Sequence, residues 1–274
     1  MIAGFLIGLR EGLEAALIVG LVFGILAQIG QQRYRKVIWG GVITAVAISF
    51  LTAILLQWLG TSLEGVAEEI FEGTMMLLAA GVLTWMIFWM QRQSRRYQDG
   101  IAGELHFALQ REQKWAIFGI SFFAVLREGI ETSLFLTATA MIADERLVFL
   151  GALIGIAFSI LLGWALFTTT IRLELHKFFQ VTSVLLVIFA AGLFAHGVHE
   201  FVEAGWFPAI IDPIWNLNPV LDENSLLGSI LKTLFGYNGD PSLTESLAYL
   251  GYFVIVLSRI RKVSRDQDNV EYAV

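Results

Sequence analysis

The chain has 274 residues, of which 57% are hydrophobic, with a mean hydropathy of +0.71 and a formal net charge of −6. This apolar fraction is too large for a water-soluble globular protein of this length. Cysteine is absent, which excludes disulfide bonds and metal sites built from thiolates.

Seven apolar stretches are long enough to cross about 30 Å of hydrocarbon as helices that rise 1.5 Å per residue. The fold class is therefore predicted to be an all-α polytopic membrane protein, with residues 1–274 forming a single transmembrane domain. The first stretch follows no basic segment and itself carries charged residues, so we do not expect a cleaved signal peptide. We predict spans at residues 2–28, 37–59, 70–91, 115–142, 147–171, 178–199 and 244–261.

Lysine and arginine predict the orientation of these spans. The C-terminal ends of spans 1, 3, 5 and 7, together with the segments that follow them, hold 14 of the 18 basic residues. Basic residues favour the cytoplasmic side of a membrane. We therefore expect the N-terminus outside, the C-terminus in the cytoplasm and the protein in the plasma membrane.

Span 1 carries the charged motif LREGLE at residues 9–14. The motif recurs in span 4 as LREGIE at residues 126–131. An ionisable residue inside a membrane span costs at least about 2.5–3.5 kcal/mol, so such residues usually face a cavity or a partner. The charged residues of each copy are three or four positions apart and can share one helix face. They are Arg10, Glu11 and Glu14 in span 1 and Arg127, Glu128 and Glu131 in span 4.

Span 3 begins with three acidic residues at its outer end, Glu68, Glu69 and Glu72. Glu68 and Glu69 suit a helix N-terminus, whose dipole favours negative charge. Glu72 lies one turn deeper and is a candidate for passing a cation inward. The other outer acids are either a solvated surface or a negative vestibule that concentrates cations.

The segment 93–114 follows span 3 and is predicted to be a cytoplasmic connection. Ile101, Leu105 and Ala108 recur there at helical spacing among charged residues. This pattern indicates an amphipathic helix at the membrane interface.

The chain contains an internal repeat. Besides the two charged motifs, Ala79–Gly81 of span 3 matches the Ala-Ala-Gly sequence that ends at Gly192 of span 6. The repeats are three helices each, over residues 1–92 and 115–203, and an odd number of spans gives them opposite orientations. This 3+3 inverted repeat is a plan that many secondary transporters share, with the binding site near mid-membrane.

The outer end of span 6 combines histidines with acids. His196, His199, Glu200 and Glu203 are three or four residues apart on one helix. They predict either a metal-binding cluster or ordinary polar capping of a helix end.

The extracytoplasmic loop 204–243 contains all four prolines. Residues 222–237 within it have the pattern of a short amphipathic helix. The remaining segment, 244–274, is predicted to form a seventh helix outside the repeat and a cytoplasmic tail.

Taken together, the two motifs hold four glutamates and two arginines, a net charge of −2 when all are ionised. One interpretation is structural, with two Arg–Glu clusters that hold helices together, although desolvation offsets much of the attraction in a buried ion pair. The other is that a cation completes the site. Carboxylates without thiolates suit hard cations such as iron, manganese, magnesium or calcium and disfavour copper(I).

The paired Arg-Glu-x-x-Glu motifs, the seven spans and the His-x-x-His-Glu segment before a long outer loop resemble the iron permease family of fungal oxidase-linked permeases and bacterial EfeU-type permeases. The length and short tail are similar to the bacterial branch, which implies the bacterial inner membrane. The resemblance implies iron import, with Glu11, Glu14, Glu128 and Glu131 as iron-handling carboxylates. It implies that Arg10 and Arg127 are the motif's supporting charges.

The predicted function is that of an iron permease rather than an enzyme, with iron ions as the transported substrate and no prosthetic group. Outer acids and the span 6 cluster would collect iron, and Glu72 would pass it to the motif carboxylates. A separate extracytoplasmic ferroxidase or iron-binding protein is a possible partner, and no nucleic-acid partner is expected. The alternatives are import of lead or manganese, a di-iron membrane oxidase, and a proton-coupled transporter of an organic cation.

Overall fold

A computed structural model describes residues 1–110, 113–168, 175–223 and 225–271. These residues form helices and connecting segments without any strand, as the all-α prediction requires. Within them lie a short 3₁₀ helix, Gln32–Tyr34, and eight α-helices. The α-helices are α1 (Ile2–Gln28), α2 (Arg35–Ser62), α3 (Val66–Gln110), α4 (Lys114–Ile142), α5 (Glu145–Thr168), α6 (Leu175–Glu203), α7 (Leu226–Phe235) and α8 (Leu243–Glu271).

Each of the seven predicted spans coincides with a long helix, and residues 169–171 at the end of the fifth span lie outside the described residues. In the described part of the chain, four helical segments are long and apolar enough to cross a membrane: Gln32–Ser62, Val66–Trp89, Glu145–Leu166 and Lys177–Glu203. The other predicted spans correspond to α1, α4 and α8, which have 27, 29 and 29 residues. That these three helices also cross the membrane, and that the N-terminus is outside, stay predictions.

Large apolar side chains cover the outward faces of α2 and α5. Phe50 and Trp58 of α2 are 66% and 62% exposed, and Leu153 and Trp164 of α5 are 66% and 65% exposed. Water would make such a surface unfavourable, whereas lipid hydrocarbon would not. These faces are those of a multi-pass membrane protein.

α3 differs from its predicted form. We expected the third span to end at residue 91 and a separate amphipathic helix to follow, but one continuous helix runs from Val66 to Gln110. Residues 91–96 are mostly glutamine and arginine, which are good helix formers, so nothing there ends the helix. Leu105 and Ala108 in its last part are buried in the core of the first unit, whereas we expected this apolar face to lie at the membrane interface. Residues 111 and 112 of the predicted connection lie outside the described residues.

The helices group into two compact units. The first contains α1, α2, α4 and α5, and comprises Met1–Ser62 and Gln91–Thr182. The second contains the first part of α3, most of α6, and α7 and α8, and comprises Leu63–Met90 and Ser183–Val274. Both charged motifs lie in the first unit, and all predicted outer-end site residues lie in the second.

Within the first unit, α1 packs along α5 and α2 packs along α4, while α1 also contacts α4. Glycines allow close approach in both pairs, since a Cβ at Gly8 would lie 2.5 Å from the Ala152 carbonyl oxygen and one at Gly41 would lie 2.7 Å from that of Phe118. The two pairs are equivalent under the repeat: α1 of the first repeat corresponds to α4 of the second, and α2 of the first corresponds to α5 of the second. The internal repeat predicts this correspondence, while opposite orientation in the membrane stays a prediction.

The core of the first unit adjoins the charged motif of α4, since it includes Val125 and packs against Leu126. It is built from the C-terminal half of α1, the first part of α2 and the first part of α4, together with the end of α3. Its fully buried members include Val22, Ile38, Leu105 and Ile117. This apolar packing holds the two motif helices in a fixed relation to each other.

Within the second unit, α3 and α6 meet at two glycines. A Cβ at Gly73 would lie 3.0 Å from the Gly197 carbonyl oxygen, and a Cβ at Gly197 would lie 3.1 Å from that of Gly73. α8 joins α3 through a hydrogen bond of 2.7 Å between the hydroxyls of Thr84 and Tyr252. These contacts place the first part of α3, the last part of α6 and the first part of α8 together.

The predicted amphipathic helix at residues 222–237 is present as the shorter α7; Asn224 lies outside the described residues. Ser225 begins the helix, with its Oγ accepting a hydrogen bond of 3.0 Å from the Gly228 backbone N–H. Gly236 ends it in the left-handed conformation, with φ +68°. Leu226 is 85% exposed, so the apolar face predicted for this helix points in part away from the unit.

Candidate metal centre

The motif of α1 forms a buried ion-pair group. Arg10 Nη1 lies 2.5 Å from Glu11 Oε1, and Arg10 Nη2 lies 2.8 Å from Glu14 Oε1. Arg10 and Glu11 are each 1% exposed, whereas the Glu14 side chain is 15% exposed. The helical spacing of three and four residues therefore brings one guanidinium between two carboxylates.

The motif of α4 is arranged in the same way but paired less closely. Arg127 Nε donates a hydrogen bond of 2.9 Å to Glu131 Oε1. Arg127 Nε lies 3.7 Å from Glu128 Oε1, which is beyond hydrogen-bond range. The Arg127 side chain is 24% exposed, so it is more accessible to solvent than Arg10, which is 1% exposed.

Three carboxylates from the two motifs converge. Glu11, Glu128 and Glu131 each offer an oxygen, and these three atoms lie within 4.8 Å of one another. All three residues are buried, with exposures of 1%, 2% and 7%. In the described part of the chain, this is the one group of three histidine or acidic residues whose ligand atoms come so close.

The second oxygen of each of these carboxylates is buried and makes no hydrogen bond to the described residues. These atoms are Glu11 Oε2, Glu128 Oε2 and Glu131 Oε2. Buried carboxylate oxygens normally have hydrogen-bond partners, because an unpaired charge in a medium of low polarity is costly. The arrangement has the chemistry of a cation site, with several oxygen ligands and an excess of negative charge.

Glu14, predicted as the fourth carboxylate, lies at the edge of this group. It interacts electrostatically with Arg10, Glu131 and Arg127, and it is more exposed than the other three acids. Sequence reasoning treated the four glutamates as equivalent. The structure distinguishes three converging carboxylates from one that borders them.

The acids at the start of α3 and at the end of α6 interact with one another in the second unit. Glu200 lies within electrostatic range of Glu69, Glu72 and Glu203, and Glu72 lies within range of Glu68. Their ligand atoms do not converge as closely as those of Glu11, Glu128 and Glu131. They form a field of negative charge rather than a compact metal site.

The two histidines of α6 have different surroundings. His199 lies between two carboxylates, with Nε2 3.3 Å from Glu203 Oε1 and Nδ1 3.3 Å from Glu245 Oε2. His196 is buried and its Nδ1 bonds the Gly192 carbonyl oxygen at 3.0 Å. A carbonyl only accepts, so Nδ1 carries the proton and the lone pair of Nε2 stays available; Nε2 makes no hydrogen bond to the described residues.

Sequence reasoning did not predict Glu245 and Asn238 as site residues. Glu245 is only 2% exposed, and both of its oxygens accept hydrogen bonds from Asn238 Nδ2, at 3.1 and 2.9 Å. Glu245 lies two residues after the start of α8, where an acid reads as an ordinary helix N-terminal charge. Only the packing of α8 near His199 distinguishes it from the exposed outer acids.

Comparison with known proteins identifies the family. A family model described as the iron permease FTR1 family matches residues 1–261, which is nearly the whole chain. The chain belongs to the iron permease FTR1 family. This confirms the resemblance drawn from the paired motifs, and with the membrane-length helices it makes the chain a multi-pass membrane protein of the bacterial inner-membrane type.

Two relatives are similar to this chain over most of their length. The protein named ferrous iron permease EfeU from Escherichia coli O6:K15:H31 (strain 536 / UPEC) is 36% identical over 259 residues, which cover 94% of this chain and 94% of the relative. The protein of the same name from Yersinia pestis is 35% identical over 259 residues, which cover 94% of this chain and 92% of the relative. No solved structure matches the chain.

Proposed function

We propose that this chain imports iron across the inner membrane, with ferrous iron as the transported ion, and that Glu11, Glu128 and Glu131 bind it during passage. The convergence of these three buried carboxylates carries the proposal. Membership of the iron permease family and the ferrous permeases among its relatives support iron as the ion. Glu14 completes the ligand set from its more exposed position.

The arginines hold the site ready in the absence of metal. Arg10 pairs with Glu11 and Glu14, and Arg127 pairs with Glu131, so the two positive charges offset part of the repulsion among the carboxylates. An arriving cation takes over this neutralisation. The guanidinium groups then turn away, and the carboxylate oxygens that have no hydrogen-bond partner become ligands.

The membrane potential provides a driving force for this import. An inside-negative potential contributes about 2.3 kcal/mol per charge per 100 mV, which is about 4.6 kcal/mol for a divalent ion. The four glutamates and two arginines carry a net charge of −2 when all are ionised, so a divalent ion neutralises the site. With the divalent ion bound, the site no longer carries the excess negative charge whose burial is unfavourable in the metal-free protein.

The second unit provides the outer collecting station in this proposal. Glu72 and Glu200 attract cations at the outer end, together with the acids that surround them. His199 is held there by Glu245. The complete proposed set is Glu68, Glu69, Glu72, His196, His199, Glu200 and Glu203.

The proposal includes the 3+3 inverted repeat, with the N-terminus outside. It also includes a separate extracytoplasmic partner, either a ferroxidase or an iron-binding protein, that delivers iron to the outer acids. The exchanged packing of α1 with α5 and α2 with α4 supports the repeat. The helices of each pair run parallel, since the contacts progress from Gly4 with Val148 to Gly12 with Ser159 in one pair and from Gly41 with Phe118 to Ser49 with Gly129 in the other. This direction agrees with alternating spans, because each pair joins two odd-numbered or two even-numbered spans.

Iron uptake into proteoliposomes tests the function. Uptake of radioactive ferrous iron under anaerobic reducing conditions and of ferric citrate would be compared for wild type and for Glu11→Gln, Glu128→Gln and Glu131→Gln. We expect ferrous uptake in wild type and at least a tenfold loss in each variant, because glutamine keeps the size but removes the charge. Glu104→Gln, at an exposed position of α3, is the matched control.

Three results would contradict the proposal. Normal ferrous uptake by all three variants would assign the carboxylates a structural role. Preference for ferric citrate would reject the ferrous form of the proposal. Stronger uptake of manganese or lead than of iron would assign the site to another cation.

A further inference from the structure

The residue that follows the first glutamate of each motif is a glycine in close contact with another helix. A Cβ added at Gly12 of α1 would lie 2.3 Å from Ser159 Oγ and 3.1 Å from Ser159 Cβ, both on α5. Distances below 3.0 Å between such atoms do not occur without displacement. The backbone at Gly12 therefore packs directly against the Ser159 side chain, with no room for a larger residue.

The second motif repeats this contact with a different helix pair. A Cβ added at Gly129 of α4 would lie 2.0 Å from Ser49 Oγ and 2.6 Å from Ser49 Cβ, both on α2. The contact at Gly129 is the closer of the two, since even the Cβ of Ser49 is nearer than any real pair of such carbons. The same glycine–serine contact thus occurs on both motif helices.

The two serines act through their bulk rather than as ligands. Ser159 Oγ donates to the Ile156 carbonyl oxygen at 2.7 Å, and Ser49 Oγ donates to that of Ala45 at 2.9 Å. Both serines are buried, with exposures of 0% and 8%. Because each hydroxyl proton is used within its own helix, the serine presents a fixed surface to the glycine.

We propose that the Gly12–Ser159 and Gly129–Ser49 contacts are positioning contacts, which set the depth and rotation of each motif helix so that Glu11, Glu128 and Glu131 converge on one cation. The inference rests on the proposed function. Each glycine adjoins a converging glutamate in sequence, so a displaced helix carries the carboxylate with it. Displacements of about 1 Å are enough to impair a constellation of ligands.

The test compares Gly12→Ala and Gly129→Ala with wild type for ferrous uptake, with KM and maximal rate measured separately. We expect KM to rise at least tenfold in both variants. Restoration by the partner is the decisive measurement. Gly12→Ala with Ser159→Gly, and Gly129→Ala with Ser49→Gly, should return KM to within about twofold of wild type.

Removing only the serine hydroxyl should restore KM in the Gly12–Ser159 pair but not in the Gly129–Ser49 pair. Ser159→Ala should restore most of the KM of Gly12→Ala, because the remaining Cβ lies at 3.1 Å and a small adjustment relieves it. Ser49→Ala should not restore Gly129→Ala, because the remaining Cβ lies at 2.6 Å. General loosening of the fold would not produce this difference.

Three glycine controls separate local positioning from helix packing in general. Gly24 of α1 and Gly119 of α4 have nothing within 4 Å of an added Cβ, so Gly24→Ala and Gly119→Ala should keep the wild-type KM. Gly4→Ala crowds the same α1–α5 pair, at 2.1 Å from the Val148 carbonyl oxygen, but lies further from the carboxylates. It should lower the unfolding temperature without a comparable rise in KM.

An equal rise of KM in Gly4→Ala, or failure of both glycine partners to restore KM, would overturn the inference. Glu128→Gln is measured in parallel, since normal uptake in that variant would reject the proposed function itself. If Glu128→Gln loses uptake while both alanine variants keep their KM, only the positioning role fails. If Gly129→Ala does not fold, Ser49→Gly must restore both folding and KM, and failure to do so counts against the proposal.

Discussion

At the residue scale, the two arginines of the motifs differ in burial and in ion pairing. Arg10 is 1% exposed and contacts two carboxylates, whereas Arg127 is 24% exposed and contacts Glu131 most closely. Removing one member of a buried ion pair leaves an uncompensated charge, which costs far more than the net stabilisation from the pair. The loss of Arg10 should therefore be the more damaging change.

Arg10→Met should lower the free energy of unfolding by about 3–5 kcal/mol. Arg127→Met should lower it by about 1 kcal/mol, because water still reaches that position. Thermal unfolding of the metal-free protein in detergent measures both. Arg146→Met, at an exposed position of α5, is the control, and equal losses for Arg10→Met and Arg127→Met would contradict the assigned difference in burial.

Glu128 lies farther from Arg127 Nε than Glu131 does, at 3.7 Å against 2.9 Å. Glu128→Gln removes a buried charge that repels Glu11 and Glu131. We expect the metal-free variant to be as stable as wild type or more stable by about 1–2 kcal/mol, while iron uptake is lost. Chemical unfolding in detergent measures this, and a strong destabilisation would show that Glu128 is a structural ion-pair partner.

At the element scale, α7 shows how local sequence signals and packing act together. Its ends follow local rules, with a serine at the start and a left-handed glycine at the finish. Gly236 has a second constraint, since an added Cβ would lie 2.3 Å from Gly192 Cα of α6. The end of α7 is therefore set by its contact with α6 as well as by backbone conformation.

Gly205 allows these two constraints on Gly236 to be separated. Both glycines have positive φ, but Gly205 has nothing within 4 Å of an added Cβ. Gly205→Ala should cost about 1–2 kcal/mol, the usual cost of a left-handed alanine. Gly236→Ala should cost clearly more in the same thermal unfolding assay, and equal costs would show that the Gly192 contact adds nothing.

At the scale of the whole molecule, the unequal distribution of basic residues predicts the orientation of every span. The natural chain has no cysteine, so single cysteines can be introduced without background labelling. Glu64 and Asp144 are exposed in connections predicted to be outside, and Gln32 and Gln113 are exposed in connections predicted to be cytoplasmic. These four positions test the orientation of the first five spans.

In intact spheroplasts, a membrane-impermeant maleimide should label Glu64→Cys and Asp144→Cys. It should label Gln32→Cys and Gln113→Cys only after permeabilisation. The reversed pattern would invert the protein in the membrane. A pattern in which Glu64→Cys and Asp144→Cys differ would reject the opposite orientation of the two repeats.

Much of the fold could be predicted from the sequence, because a membrane span must be long, apolar and helical. The first and fourth spans were predicted at residues 2–28 and 115–142, and the helices run Ile2–Gln28 and Lys114–Ile142. The end of α3 was predicted less well. A basic segment marks the membrane boundary in sequence, but the same glutamines and arginines continue a helix, so composition alone did not show where the helix ends.

The sequence by itself determined the apolar spans, the repeated charged motif and the family, because these depend on composition and on spacing along one helix. The tertiary structure decided which carboxylates meet. Glu11 lies more than a hundred residues from Glu128 and Glu131, and only the packing of α1 and α4 brings them within 4.8 Å. The tertiary structure also left Glu14 outside this group of three and placed Glu245 of α8 beside His199 of α6, because contacts between helices are not encoded by any local pattern.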